Sequence, residues 1–236
     1  RALPICLLTF TLAHAPSARA ELWADHLKPT LEDGFDTYGM FYLLAGVAAV
    51  GFAQSKDYEM RAAFSNHQRM SNGTSRFGDF LGTGIPGALV AVTQLIWDNN
   101  NGIAHAEALI DTAIVTAALK QGFARARPNS ENHHAMPSGH TSTTFTSATS
   151  LTYAYGWRAA IPAYALAVLT GVSRMSDDAH WFSDTVAGAT IGFFWGRATY
   201  QHHKPERLYE RANAVRMRSY PMVSSRFLGA GLAIEF

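Results

Sequence analysis

The chain has 236 residues, of which 48% are hydrophobic and 16% are charged. This length suits one domain, or two small ones at most, and the large apolar fraction excludes a disordered protein. Nineteen basic and eighteen acidic side chains leave a net charge of +1, so no nucleic-acid partner is expected. A single cysteine excludes a disulfide framework and a thiolate-rich metal site.

The first 20 residues resemble the end of a secretory signal peptide. An apolar run from Ala2 to Leu12 precedes Ala18-Arg19-Ala20, a small-residue pattern typical of a cleavage site. The run is shorter than the ~20 residues of a spanning helix, which favours cleavage over a retained membrane anchor. We therefore expect an exported protein, either periplasmic or membrane-associated, with its active site on the extracytoplasmic side.

Residues 21–204 are predicted to form an all-α helical bundle of about six core helices. Uncharged apolar runs such as Met40 to Ala53 and Leu81 to Trp97, of 14 and 17 residues, barely reach the length of a membrane span. Helices that are apolar on all faces are either buried or membrane-spanning, and the sequence leaves both open. Further helical segments are Ile103–Arg125, with apolar residues at helical spacing, the small and hydroxyl-rich Ser138–Tyr155, and the apolar Ala159–Val172 and Asp184–Tyr200. In the last of these, Gly188, Gly192 and Gly196 favour close packing. The predicted loops are Lys56–Phe80, Asp98–Gly102 and Pro128–Pro137.

The C-terminal tail, residues 205–236, has a different character. Hydrophobic residues alternate from Leu228 to Phe236, which predicts a β-strand. A terminal aromatic residue also suits an outer-membrane barrel strand, but one strand does not make a barrel. We expect a tail that docks on its own domain or on a partner.

The first cluster of chemically active residues extends from Lys120 to Pro128. On one continuous helix, Lys120 and Arg127 would share a face about 10 Å apart, and Pro128 would end the helix. Two cations that converge from one face suit an anion such as phosphate. Alone the signal is weak, since basic residues near a helix end commonly just offset the helix dipole.

Two further clusters contain histidine. Pro137-Ser138-Gly139-His140 precedes a predicted helix, where Ser138 would act as N-cap and the exposed N–H groups would bind an anion. In the third cluster, Ser173-Arg174-x5-His180-x3-Asp184, the last two residues would meet on a helix. The carboxylate would then fix the imidazole tautomer and leave the other nitrogen free as a nucleophile.

Together the three clusters suit phosphoryl transfer, which needs charge neutralisation, an in-line nucleophile and an acid for the leaving group. In order and spacing they resemble the signature of the phosphatidic acid phosphatase type 2 and vanadium haloperoxidase superfamily. The resemblance covers about residues 82–197. It implies an all-helical fold with the active site in the bundle.

By this resemblance, His180 would attack phosphorus to form a phosphohistidine, and Asp184 would orient it and stabilise its cationic form. His140 would protonate the leaving alcohol and then activate water. No cofactor or metal is expected, because phosphatase members of the family require none. Asp177 and Asp178 would either tune the choice of leaving group or face solvent. The phosphate oxygens would be bound by Lys120, Arg127, Arg174, Ser138 and the Gly139 amide.

The leading hypothesis is therefore an extracytoplasmic, metal-independent phosphatase of monoesters or diphosphates. Lipid phosphates are the expected substrates, because apolar helices would place the site next to a membrane surface or bilayer. The alternatives are a broad-specificity soluble acid phosphatase acting on small phosphoesters, a vanadate-dependent haloperoxidase and a non-enzymatic phosphate-binding envelope protein.

Overall fold

The computed structural model describes residues 27–65 and 70–204, together with the backbone of residues 216–224 and 227–235. The predicted signal peptide, residues 1–20, lies outside these ranges. The structure divides into two compact units after His202, and each is described by itself. Within the described residues, the first unit contains nine helices: α1 (Lys28–Gly34), α2 (Thr37–Ser55), α3 (Asp57–Phe64), α4 (Asn72–Gly82), α5 (Ile85–Trp97), α6 (Asn99–Phe123), α7 (Gly139–Tyr155), α8 (Trp157–Ser176) and α9 (Phe182–His202).

The bundle is organised around α7, against which α9 packs at backbone distance. A Cβ atom on Gly188 would lie 2.5 Å from the carbonyl oxygen of Ser138, and one on Gly192 would lie 2.3 Å from that of Ser142. Because no real side chain tolerates such distances, these positions require glycine. The close packing predicted from the four-residue glycine spacing is confirmed.

The interior of the bundle is rich in hydroxyl groups. Thr112 on α6 hydrogen-bonds to Thr146 on α7 over 2.8 Å, and Thr116 to Ser142 over 3.1 Å. These polar groups are buried in pairs, which removes the cost of leaving them without partners. They join the two helices that carry the first two motifs.

The exterior is unusually apolar. On α2, large side chains such as Phe41 and Leu44 are more than 60% exposed, while two of its 19 residues are buried. Within the described residues, α2 and α6 are long and apolar enough to cross a membrane, and α4 with α5, bent by 48°, would make a third span if counted as one. Apolar surface of this extent favours membrane association over a soluble bundle.

The all-α fold class is confirmed, but several predicted boundaries are wrong. The segment Lys56–Phe80 contains α3 and most of α4 in place of a loop. The predicted turn at Asp98–Gly102 is a break at Asp98 alone, since Asn99–Gly102 already forms the first turn of α6. That helix ends at Phe123, because Ala124 adopts left-handed dihedral angles with φ of 43°.

The second unit contains two antiparallel strands, β1 (Arg216–Ser224) and β2 (Phe227–Glu235). Their register pairs Arg216 with Glu235 and Ser224 with Phe227. The alternating segment predicted as a strand is β2, while β1 has no such clear alternation and was not predicted. Docking of this tail stays a prediction.

The α7–α9 packing predicts that Gly192→Ala destabilises the fold by about 1–3 kcal/mol, because the new methyl group overpacks the interface. Gly51→Ala is the matched control: it is also in a helix, but a Cβ there meets nothing within 4 Å, and alanine favours helix by about 1 kcal/mol. Unfolding midpoints in detergent measure both. Equal midpoints for the two variants would contradict this description of the interface.

Candidate active site

Hydrogen bonds to backbone carbonyl groups bring the three predicted motifs together. The N–H of Ser138 donates to the carbonyl of Asp184 over 2.9 Å, which joins the second motif to the third. The indole N–H of Trp181 donates to the carbonyl of Ala126 over 3.0 Å, which joins the third to the first. The predicted site residues are therefore neighbours in space, although 64 positions separate Lys120 from Asp184.

The second motif forms the start of α7. Ser138 is the N-cap, as predicted, and its hydroxyl accepts a hydrogen bond from the N–H of Thr141. Gly139 begins the helix, and a Cβ atom there would lie 3.8 Å from Cε of Lys120. The first amide groups of α7 thus open next to a lysine side chain, an arrangement suited to an anion.

His140 is held between α7 and α4. Its Nε2 lies 3.1 Å from Oδ1 of Asp79, and the same oxygen forms an ion pair with Nη1 of Arg174 over 2.6 Å. The ring packs so closely on α4 that a Cβ on Gly82 would lie 2.4 Å from the histidine Cβ. Asp79 therefore connects the predicted proton donor to one of the predicted phosphate-binding cations.

His180 is 4% exposed, and its Nδ1 lies 3.6 Å from Oδ2 of Asp184. The two residues were predicted to meet on one helix, but α9 begins at Phe182, so His180 precedes the helix. They face each other because the loop turns: Oδ2 accepts the N–H of Trp181 over 2.8 Å. The geometry leaves the opposite nitrogen, Nε2, as the one that can react.

The predicted cations differ in how they are neutralised. Arg174 is paired with Asp79 and Asp177, whereas Lys120 donates to the carbonyl of His134 over 2.7 Å. The buried Nε of Arg127 has no hydrogen-bond partner among the described residues. Lys120 and Arg127 do not lie on one helix face as predicted, because α6 ends at Phe123, before Arg127. They still converge, since both charges act on His180.

Sequence reasoning missed three residues of this site: Arg125, Asp57 and Asp79. Arg125 lies inside the first motif, but its partners do not: it donates to Asp184 over 2.8 Å and to Asp57 over 2.7 Å. Both missed aspartates lie in the segment predicted as a loop. A periodicity test of that segment could have found the helices, but no pattern in it points to the site.

The adjacent pair Asp177 and Asp178 takes two different roles. Asp177 binds Arg174, next to the site, while Asp178 forms two hydrogen bonds of 2.8 and 2.6 Å with Arg61 on α3. Asp177 is exposed as well as ion-paired, so the prediction that the pair faces solvent is wrong for Asp178 alone. His133, in the preceding loop, is exposed and serves below as a control position.

Burial and positive charge lower the pKa of both histidines. Burial, followed by the Arg174 charge, lowers the pKa of His140 to about 4. Burial also lowers the pKa of His180, and the charges of Lys120 and Arg127 act in the same direction. Both rings are therefore neutral near pH 7 in the free protein. A bound phosphate dianion would offset the cations and raise both pKa values.

The set of side chains defines what can bind. Two neutral imidazoles and several cations surround the amide groups of a helix start, which is a donor set for an oxyanion rather than for a metal ion. The nitrogen of His180 that faces away from Asp184 has the geometry that a nucleophile requires. The arrangement can bind a phosphate group, attack it and supply a proton to the group that leaves.

Comparisons with known proteins agree with this chemistry. Residues 101–207 match the family model described as the PAP2 superfamily. The Lipid A 1-phosphatase of Porphyromonas gingivalis is 38% identical over 86 residues, which is 35% of this chain and 19% of that protein. The Lipid A 4'-phosphatase of Helicobacter pylori is 34% identical over 109 residues, which is 46% of this chain and 50% of that protein. The matches thus span at most half the length of these curated relatives.

Two crystal structures share the fold. Aquifex aeolicus LpxE aligns with a TM-score of 0.55 at 21% identity, over 61% of this chain and 93% of that one. A transmembrane PAP2-type phosphatidylglycerolphosphate phosphatase from Bacillus subtilis aligns with a TM-score of 0.54 at 17% identity, over 74% and 95%. At these identities the likeness supports the arrangement of helices alone.

The lowered pKa of His140 predicts a pH-dependent stability. The unfolded chain binds more protons than the folded one between the ordinary value of 6.5 and about 4, so the free energy of unfolding falls as the pH falls through this window. The loss is less than about 1.4 kcal/mol per pKa unit, because the ring is partly exposed and screened by water.

Unfolding midpoints between pH 7 and 4.5 measure this loss. His140→Gln should flatten the dependence and added inorganic phosphate should reduce it, whereas His133→Gln should leave it unchanged. An identical pH dependence in all three proteins would show that His140 does not titrate as described.

Proposed function

The chain belongs to the PAP2 superfamily, and from that premise we propose that it is a metal-independent phosphatase of lipid phosphate monoesters or diphosphates, acting through a phosphohistidine on His180. The observation that supports this proposal most strongly is the buried pair of His180 and Asp184, which faces Lys120, Arg127 and the capped start of α7. The activity is proposed for the extracytoplasmic side of a membrane.

In the first step, the lone pair on Nε2 of His180 attacks phosphorus, and the bond from phosphorus to the leaving oxygen breaks. The leaving oxygen takes the proton of His140, which becomes neutral. The imidazole that carries the phosphoryl group is cationic, and the carboxylate of Asp184 on its other side stabilises that charge. Covalent catalysis divides one difficult displacement into two easier ones.

In the second step, water attacks the phosphohistidine and gives its proton to the neutral His140. The bond from phosphorus to Nε2 breaks, phosphate is released, and His180 regains its lone pair. His140 ends the cycle protonated, as it began. Its low pKa in the free protein means that the proton is acquired together with the substrate, whose negative charge raises that pKa.

The cations stabilise the charge that spreads over the phosphoryl oxygens. Among the described residues, Lys120 forms no ion pair with a carboxylate, and Arg127 forms a long one of 4.0 Å with the exposed Glu131. Arg174 is committed to Asp79 and Asp177 and must loosen at least one of these contacts to bind phosphate. The amide of Gly139 and the hydroxyl of Ser138 add hydrogen bonds at the helix start.

Lipid substrates are supported by apolar surface next to this site. An open cavity of about 160 Å³ between α7, α8 and α9 is lined by Thr141, Met175 and Phe182, which are sequence neighbours of the site residues. A second apolar cavity of about 330 Å³ continues from it, sharing Phe145 and Ala189. An acyl chain would lie along these surfaces and the exposed apolar face of α2.

We predict that His180→Gln lowers phosphate release by at least ~10³-fold, because the nucleophile is lost. The parent protein should keep its activity in the presence of a chelator, and the exposed loop variant His133→Gln should match the parent. Phosphate release from phosphatidate, a polyprenyl diphosphate, a phosphorylated glycolipid and p-nitrophenyl phosphate measures this.

Each of the opposite outcomes excludes part of the proposal. Undiminished activity of the His180 variant would exclude the phosphohistidine, and loss of activity with chelator would exclude metal independence. If the parent hydrolyses none of these substrates, binding without turnover or peroxidase activity with vanadate, bromide and peroxide becomes the better account.

If lipid phosphates are the substrates, mixed micelles should raise turnover of long-chain substrates and leave that of short soluble esters unchanged. The physical reason is that apolar chains partition into the micelle where the apolar face of the protein is also buried. Turnover at increasing chain length, with and without detergent, measures the effect. Equal turnover of short and long esters would instead favour a broad-specificity soluble phosphatase.

A further inference from the structure

Arg125 and Asp57 form a buried chain of charges that ends at the catalytic carboxylate. One guanidinium nitrogen of Arg125 donates to Oδ1 of Asp184 and to the hydroxyl of Ser183, over 2.8 and 2.7 Å. The other donates to Asp57 over 2.7 Å. The side chain of Asp57 is 3% exposed and that of Asp184 is fully buried, so water screens these charges weakly.

This chain determines how Asp184 presents itself. Oδ1 is occupied by Arg125, and Oδ2 accepts the N–H of Trp181 while facing Nδ1 of His180. With both oxygens held, the carboxylate cannot rotate away from the imidazole. A carboxylate that is fixed before the reaction needs no reorganisation when the histidine becomes cationic.

The chain also determines how much negative charge His180 experiences. Arg125 alone would neutralise Asp184, and little charge would remain to stabilise a phosphohistidine cation. Asp57 supplies a second negative charge, so Asp57, Arg125 and Asp184 together carry a net charge of −1. Lys120 and Arg127 act on His180 with positive charge, which disfavours a cationic imidazole. The remaining negative charge of Asp57, Arg125 and Asp184 offsets this effect.

Asp57 lies outside the region that matches the family model. It belongs to α3, and it also accepts hydrogen bonds from the N–H and hydroxyl of Ser183 at the start of α9, over 2.9 and 2.8 Å. A second α3 contact, Arg61 with Asp178, joins the same helix to the third motif. The position of α3 is therefore fixed against the motif at two points, of which one contacts Asp184 through Arg125.

We propose that Arg125, held by Asp57, is a positioning residue that fixes Asp184 toward His180, and that Asp57 preserves the negative charge this carboxylate needs. The proposal rests on the function proposed above. It concerns two residues that touch no reacting atom and act through Asp184 alone.

The test uses charge changes with opposite expected signs. Asp57→Asn leaves Arg125 and Asp184 with no net charge, so the pKa of His180 should fall and kcat should fall about 10- to 100-fold, with KM changed less than about threefold. Arg125→Gln leaves two unpaired carboxylates, so the pKa of His180 should rise. The double variant restores the net charge of −1, so its His180 titration should return toward that of the parent, while its kcat should recover only in part because no guanidinium holds Asp184.

The pKa of His180 is read by NMR titration of the labelled imidazole in detergent, which does not require turnover. Arg61→Gln is the matched control, because it removes an ion pair from the same helix to the same motif but should leave the His180 titration unchanged. Where a single variant does not fold, the double variant still tests the proposal through its titration and kcat.

Opposite shifts in the single variants with recovery in the double variant support the proposal. Shifts of the same sign, unchanged titration in both single variants, or a double variant with lower kcat than either single variant would overturn it. If the variants shift the His180 titration as expected but the parent protein has no phosphatase activity, the proposed function is refuted and the charge chain is not.

Discussion

Cationic side chains that are buried at one end of a helical bundle must be paired with carboxylates. The arrangement of the helices around the site depends on these pairs. Arg125 takes its balance from Asp57 and Asp184, and Arg174 from Asp79 and Asp177. These pairs place α3 and α4 against the motifs, since Asp57 and Asp79 belong to those two helices. The charge balance therefore connects two helices outside residues 101–207 to the candidate active site.

The same balance separates the tasks of the cations. Arg125 is committed to holding Asp184, while Lys120 and Arg127 keep a positive field that acts on His180. Burial is the main cause of the lowered pKa values of both histidines; Lys120 and Arg127 add to it at His180, and Arg174 adds to it at His140. A neutral His180 keeps the lone pair that the proposed attack requires. The negative charge of a bound phosphate would raise the pKa of His140, so that this ring could hold a proton. In the proposed mechanism, substrate binding and protonation of His140 are therefore coupled by charge.

The sequence was sufficient for the fold class and for the grouping of the motifs, because helix periodicity, an N-cap serine and the spacing of functional residues are local signals. Ser138 at the start of α7 and the glycines of α9 are examples. It was insufficient where the physics is non-local: Arg125 binds a carboxylate 68 positions away. It was also misleading near Asp98 and Lys56, where polar residues that resemble loops lie in helices because tertiary packing overrides local preference.

The most direct test of the central claim is to identify the residue that carries phosphate during turnover. Rapid quenching at high pH with a labelled substrate, followed by mass spectrometry of the peptides, preserves a phosphoramidate. The account predicts phosphate on His180, within the peptide that also contains Asp184, and retention of configuration at phosphorus from two successive displacements. Phosphate on Ser138 or His140, or inversion at phosphorus with no labelled peptide, would contradict it.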